Sequence, residues 1–132
     1  MADKTVADKL LIKPGTSVWV SDEGRRSLLG PTPDGVDVSS DPSVASTAIV
    51  VADDAASVRT QFATNGTALL GSGNLWVLYP KGNRADINRD SLWPILSEFG
   101  FRPISQVSVD DTWSALRFRA LKPGEPQFTG GR

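Results

Sequence analysis

Two stretches decide the fold: Ala45-Ser46-Thr47-Ala48-Ile49-Val50-Val51-Ala52, and Gly71-Ser72-Gly73-Asn74-Leu75-Trp76-Val77-Leu78-Tyr79. Each holds an apolar run of strand length without polar alternation, the pattern of a strand buried on both faces. Between them, Asp53 and Asp54 supply an acidic helix start, and Ala55, Val58 and Phe62 fall on one stripe of a helix through about Thr64. Asn65-Gly66 is expected to break that helix, with Ala68-Leu69-Leu70 adding one further turn. Strand, helix and buried strand in succession make a βαβ unit, which calls for parallel pairing and a right-handed crossover.

Upstream, Val6, Leu10 and Leu11 suggest one short helical turn that Pro14-Gly15 stops. Thr16-Ser17-Val18-Trp19-Val20-Ser21 follows as a strand, then Asp22-Glu23 leads a helix of one to two turns that Gly30 closes. Gly35-Val36-Asp37-Val38-Ser39 alternates as a further short strand. Downstream, Asn88 or Asp90 can cap a helix from Arg89 to Phe99 with Leu92, Ile95, Leu96 and Phe99 on its apolar stripe. Pro94 is tolerable only in a first turn, so this helix is expected to start later than its caps suggest. Pro103 to Val109 and Ser114 to Ala120 alternate as two strands of an antiparallel hairpin turned by Asp110-Asp111-Thr112-Trp113. The predicted fold is one α/β, three-layer, Rossmann-like domain over residues 10–121. Its sheet of about six strands is mostly parallel and ends in an antiparallel hairpin. Residues 1–9 read as a flexible start and 122–132 as a disordered tail.

Composition narrows the chemistry. The 132 residues carry 14 basic and 15 acidic side chains, a net charge of −1, so no overall field draws the chain to nucleic acid or an anionic membrane. There is no cysteine and no histidine, which removes thiolate nucleophiles, zinc–thiolate sites and the usual general base. The serines lack an activating partner. No secretory signal or membrane span is visible, and a cytoplasmic protein is expected.

Lys13-Pro14-Gly15 ahead of one strand, Gly71-Ser72-Gly73-Asn74-Leu75-Trp76-Val77 entering another, and the closing hairpin resemble the skeleton of class I methyltransferases with one strand–helix unit missing. That resemblance implies a glycine-rich loop after the first strand, where backbone approaches S-adenosylmethionine. Here the matching turn is Ser21-Asp22-Glu23-Gly24-Arg25-Arg26, with one glycine and two bulky cations. Asp41 stands where an acidic residue would hold the ribose, but Pro42 follows it. A second resemblance covers roughly Leu10 to Ala120. Leu75-Trp76-Val77-Leu78-Tyr79-Pro80-Lys81, Asp86-Ile87-Asn88 and Val109-Asp110-Asp111-Thr112-Trp113-Ser114-Ala115-Leu116-Arg117-Phe118 are similar to a family of small bacterial, mainly actinobacterial, proteins of unassigned activity. It implies the fold and no chemistry.

Ligands of open α/β sheets bind beyond the carboxyl ends of the parallel strands. Four polar segments project there: Ser21 to Arg25, Asp53-Asp54, Lys81 to Arg84 and Asp110 to Trp113. The candidate ligand-binding residues are Asp22, Lys81, Arg84, Asp110, Asp111 and Trp113. Lys81 and Arg84 are suited to an anion, or they solvate a loop. Asp110 and Asp111 are suited to a hard cation or a proton, or they bond the backbone of their own turn. Trp113 either stacks on a ligand or anchors the core. Arg25-Arg26 read as a solvated face, and Arg117 and Arg119 share one side of the last strand, where pairing with Asp110 or Asp111 is the first expectation. The leading expectation is a non-enzymatic domain without cofactor or metal, monomeric or weakly dimeric, that recognises a partner protein or a small anionic metabolite. The alternative is a reduced S-adenosylmethionine-dependent enzyme.

Overall fold

The structure is a computed structural model of the chain. It describes residues 5–30, 32–70, 73–81, 87, 89–122 and 124–125, with the backbone alone at 23, 25, 26, 67, 70, 89 and 90. Helix α1 (Val6–Lys9) precedes β1 (Ser17–Val20), a 3₁₀ helix (Glu23–Leu29), β2 (Asp37–Val38) and β3 (Thr47–Val51). Then come α2 (Ala55–Leu70), β4 (Leu75–Pro80), α3 (Arg89–Glu98), β5 (Phe101–Ser108) and β6 (Trp113–Ala120).

The six strands form one sheet in the order β2-β1-β3-β4-β6-β5. The β2-β1, β1-β3 and β3-β4 pairs are parallel, whereas β6 is antiparallel to both β4 and β5. β6 alone therefore runs against the other strands, and the sheet is mixed. All five residues of β3 are buried, as are five of the six in β4, which fits their unbroken apolar character.

Alternate residues feed two cores. Trp19, Val50, Val77, Leu116 and Phe118 pack under α2 and α3 through Val58, Phe62, Leu69, Leu92 and Leu96. Val18, Ile49, Trp76, Leu78 and Ala115 pack under α1 and the 3₁₀ helix through Ala7, Leu10 and Leu29. The result is three layers, and each fully buried large side chain stabilises them by roughly 1.5–3 kcal/mol.

Several local expectations need correction. Helix α2 runs 16 residues through Asn65-Gly66, because Leu69 is fully buried and extends the stripe of Val58 and Phe62. That burial offsets the glycine penalty of about 1 kcal/mol. Helix α3 starts at Arg89 and keeps Pro94 inside it. The ring lies on the exposed side, and its missing N–H removes one helical bond while the stripe of Leu92, Ile95 and Leu96 stays buried. The strand read over 35–39 shrinks to the exposed pair Asp37–Val38. β5 begins at Phe101, two residues before Pro103, which an edge strand tolerates beside an irregularity between Pro103 and Ser105. Among the described residues no helix is long and apolar enough to cross a membrane.

Candidate functional site

Strands β1, β3, β4 and β5 all end, and β6 begins, at one edge of the sheet. Asp22, Asp53-Asp54, Lys81 and the Asp110-Asp111-Thr112 turn therefore share a rim. Arg84 lies outside the described residues. Along this rim the side chains form two groups, since β3 stands between β1 and β4 and successive strands are about 4.8 Å apart.

The first group surrounds a cavity of about 420 Å³ between the ends of β1 and β3, lined by Ser21, Asp22, Val51, Asp53, Asp54, Ser57, Thr60 and Gln61 among others. Ser21 donates its N–H to the Ile49 carbonyl at 2.9 Å, and its hydroxyl accepts from the Val51 N–H at 2.8 Å, so the cavity floor is bonded across the strands. Asp22 caps the 3₁₀ helix, its Oδ1 accepting from the Gly24 N–H at 3.0 Å. Asp54 Oδ1 accepts from both the N–H and the hydroxyl of Ser57 at 2.8 Å. The Ser57 N–H first and its hydroxyl second hold the Asp54 carboxyl below the usual carboxylate range. The wall is acidic and rich in hydroxyls. Asp22 and Asp53 are exposed at its mouth.

The second group is the β4 end and the β5–β6 turn. Lys81 donates through its N–H to the Thr112 carbonyl at 2.8 Å and through Nζ to the Ser108 hydroxyl at 2.6 Å. Asp110 Oδ1 accepts from the N–H groups of Thr112 and Trp113 at 2.8 and 2.7 Å. This is the side-chain-to-backbone turn that adjacent aspartates in a hairpin favour. Asp111 is exposed. Trp113 is half-buried against the core beneath α1, the anchoring arrangement rather than an open stacking platform.

Arg117 and Arg119 do not meet Asp110 or Asp111, which corrects the expected pairing. At about 3.3 Å per residue, their positions along β6 carry them roughly 13–20 Å from the turn, toward the opposite edge. Arg119 instead forms a two-pronged pair with Glu125 at 2.9 and 2.8 Å, and Arg102 joins the same carboxylate at 2.9 Å. Asp41 is also occupied: the Ser43 hydroxyl, then the Ser43 N–H, lower its carboxyl from the ordinary value. Among the described residues no three carboxylates group as a metal site.

Asp53 and Asp54 are read from the sequence both as a helix start and as one of the four segments at the ligand-bearing edge, but not as candidate ligand-binding residues, and Ser57, Thr60 and Gln61 are not drawn in. An acidic pair directly after a fully buried strand was the available signal, because such a strand must end at the ligand-bearing edge.

No protein-family model matches the chain and no curated sequence matches it, so the resemblance to small bacterial proteins finds no support at the family level. Solved structures do match. A protein of the NADB-Rossmann superfamily from Streptococcus agalactiae aligns at 11% identity and TM-score 0.53, covering 98% of this chain and 72% of that one. A candidate tRNA (m1A22) methyltransferase from Streptococcus pneumoniae aligns at 10% identity and TM-score 0.53, covering 98% and 74%. At such identities the likeness establishes a Rossmann-like α/β fold, in agreement with the topology.

Proposed function

We propose that this chain is a reduced methyltransferase-like domain that takes an adenosyl ligand of the S-adenosylmethionine type between the ends of β1 and β3. The observation carrying this reading is where the acidic cavity lies. The connection after β1 leads to β2 on one side, and the connection after β3 leads to β4 on the other. Open parallel sheets bind ligands at that divergence.

The donor and acceptor set fits the group. Asp22 and Asp53 offer carboxylates to ribose hydroxyls and to the positive sulfonium and ammonium groups, while Ser57, Thr60 and Gln61 offer hydroxyl and amide partners. When bound, S-adenosylmethionine supplies a methyl group made electrophilic by its sulfonium. The chain's own residues bind and orient: Ser21 ties the floor to β3, and Asp54 fixes the first turn of α2. The cavity's 420 Å³ lies in the range of small-molecule sites. The candidate methyltransferase from S. pneumoniae, which shares the fold, supports the same reading.

One observation favours a second reading, a non-enzymatic domain recognising a partner protein or small anion at the rim. The Gly24 N–H in the turn after β1 is already bonded to Asp22, so that turn offers a ligand less open backbone than a glycine-rich loop would. Titration calorimetry with S-adenosylmethionine and S-adenosylhomocysteine separates the two. Saturable heat that weakens in Asp53→Asn supports the adenosyl site. Absence of saturable heat with both at millimolar ligand, together with saturable binding of a phosphorylated metabolite that shifts Lys81, sinks it in favour of the second reading.

A further inference from the structure

At the edge opposite the adenosyl rim, a separate cavity of about 300 Å³ is lined by Lys13, Thr16, Ser46, Thr47, Asn74 and Arg117 among others. We propose that it binds a small oxyanion, the carboxylate or phosphate group of a small molecule, with Arg117 and Thr47 as its inner donors and Lys13 at its mouth.

Arg117 lies with its guanidinium 6.0 Å from the Trp76 ring centre, and its Nη2 donates weakly to the Gly73 carbonyl at 3.4 Å. Its Nε is buried and has no hydrogen-bond partner. Buried N–H groups normally have an acceptor, and a charged one left without any is costly. Thr47 is 2% exposed, and its hydroxyl oxygen accepts from Asn74 Nδ2 at 3.1 Å. The hydroxyl itself donates no hydrogen bond to a described residue. Asn74 is held in turn, since Trp76 Nε1 donates to its Oδ1 at 2.9 Å.

The lining contains two cations and no carboxylate, and neither Lys13 nor Arg117 has an ion-pair partner among the described residues. A ligand that only accepts, and carries negative charge, matches this set; a cation or an apolar group does not. The site is independent of the adenosyl reading, because it occupies the other end of the strands.

The test follows the Arg117 side-chain Nε–Hε resonance by NMR while the full chain is titrated with inorganic phosphate and, separately, acetate, with sodium chloride holding ionic strength constant. The site predicts a saturable shift of that resonance and of the Thr47 amide with at least one anion. Saturation by phosphate alone identifies a phosphate source, and saturation by acetate alone a carboxylate. Lys13→Gln, a change at an exposed position, should keep the fold and weaken binding several-fold, and Thr47→Val should weaken it as well. No saturable shift with either anion at millimolar concentrations overturns the proposal. So does saturation that neither variant changes.

Discussion

The Ser21 hydroxyl accepts the Val51 N–H at 2.8 Å, joining residues 30 apart in sequence where the β1–β3 ladder ends. Replacing Ser21 by Ala leaves the Val51 N–H, in a residue only 7% exposed, without its acceptor. The expected cost is about 1–3 kcal/mol. A urea titration should show a lower midpoint with unchanged slope, and calorimetry a weaker adenosyl ligand. Unchanged stability would remove Ser21 from the cavity floor.

A second bond ties the N-terminal helix to the middle of the sheet. Trp76 Nε1 donates to the Leu10 carbonyl and to Asn74 Oδ1, both at 2.9 Å, and Asn74 Nδ2 reaches the same carbonyl at 2.8 Å. Trp76→Phe removes the donor and shrinks a ring that is 1% exposed. Destabilisation of about 2–4 kcal/mol is expected, from a lost buried hydrogen bond plus lost packing. Equilibrium unfolding checks it, and a loss below about 1 kcal/mol would contradict the role assigned to this network.

Leu11 sits at φ 62°, the left-handed region, one residue past the Leu10 cap of α1. The Leu11 and Ile12 N–H groups donate to the Asp8 and Ala7 carbonyls at 3.1 and 3.0 Å, the helix-ending geometry in which glycine usually fills Leu11's place. Leu11 is 41% exposed, so its side chain gives up little contact. Leu11→Gly should therefore raise stability by about 0.5–1 kcal/mol, read as a higher melting temperature.

Glu125 predicts an acid-side effect. The Arg119 guanidinium, then the Lys122 N–H and Arg102, hold its carboxyl well below the usual glutamate value. A carboxyl depressed in the folded state contributes stability above its unfolded pKa of about 4.3, and that contribution is lost as pH falls toward the folded value. Glu125→Gln should therefore be less stable than the parent at neutral pH, with the gap closing progressively below about pH 4.3. Thermal melts from pH 7 downward measure it; a gap that stays constant would contradict the pairing.

The central βαβ unit was legible because β3 and β4 are buried on both faces, and continuous apolar runs leave little choice of element. The ends of elements were less so. Gly66 signals a break locally, but the burial of Leu69 lies seven residues past Phe62 and depends on a sheet that only the whole fold supplies. Pro103 looked like a strand start because its tolerance depends on β5 being an edge. The shared rim of Asp22, Lys81 and Asp110 followed from strand direction, and the Asp110 turn from local chemistry. The Arg119–Glu125 pair did not, since Glu125 stands in a stretch without periodicity and its partners come from two strands.

The cavity between β1 and β3 is where the proposed adenosyl ligand binds, and backbone amide mapping with S-adenosylhomocysteine tests that placement. Saturable shifts are predicted to cluster at Ser21, Asp22, Asp53, Asp54 and Ser57, leaving the Lys81 to Trp113 turn and the Arg117 edge unmoved. Shifts confined to that turn or that edge, or none at millimolar ligand, would contradict it.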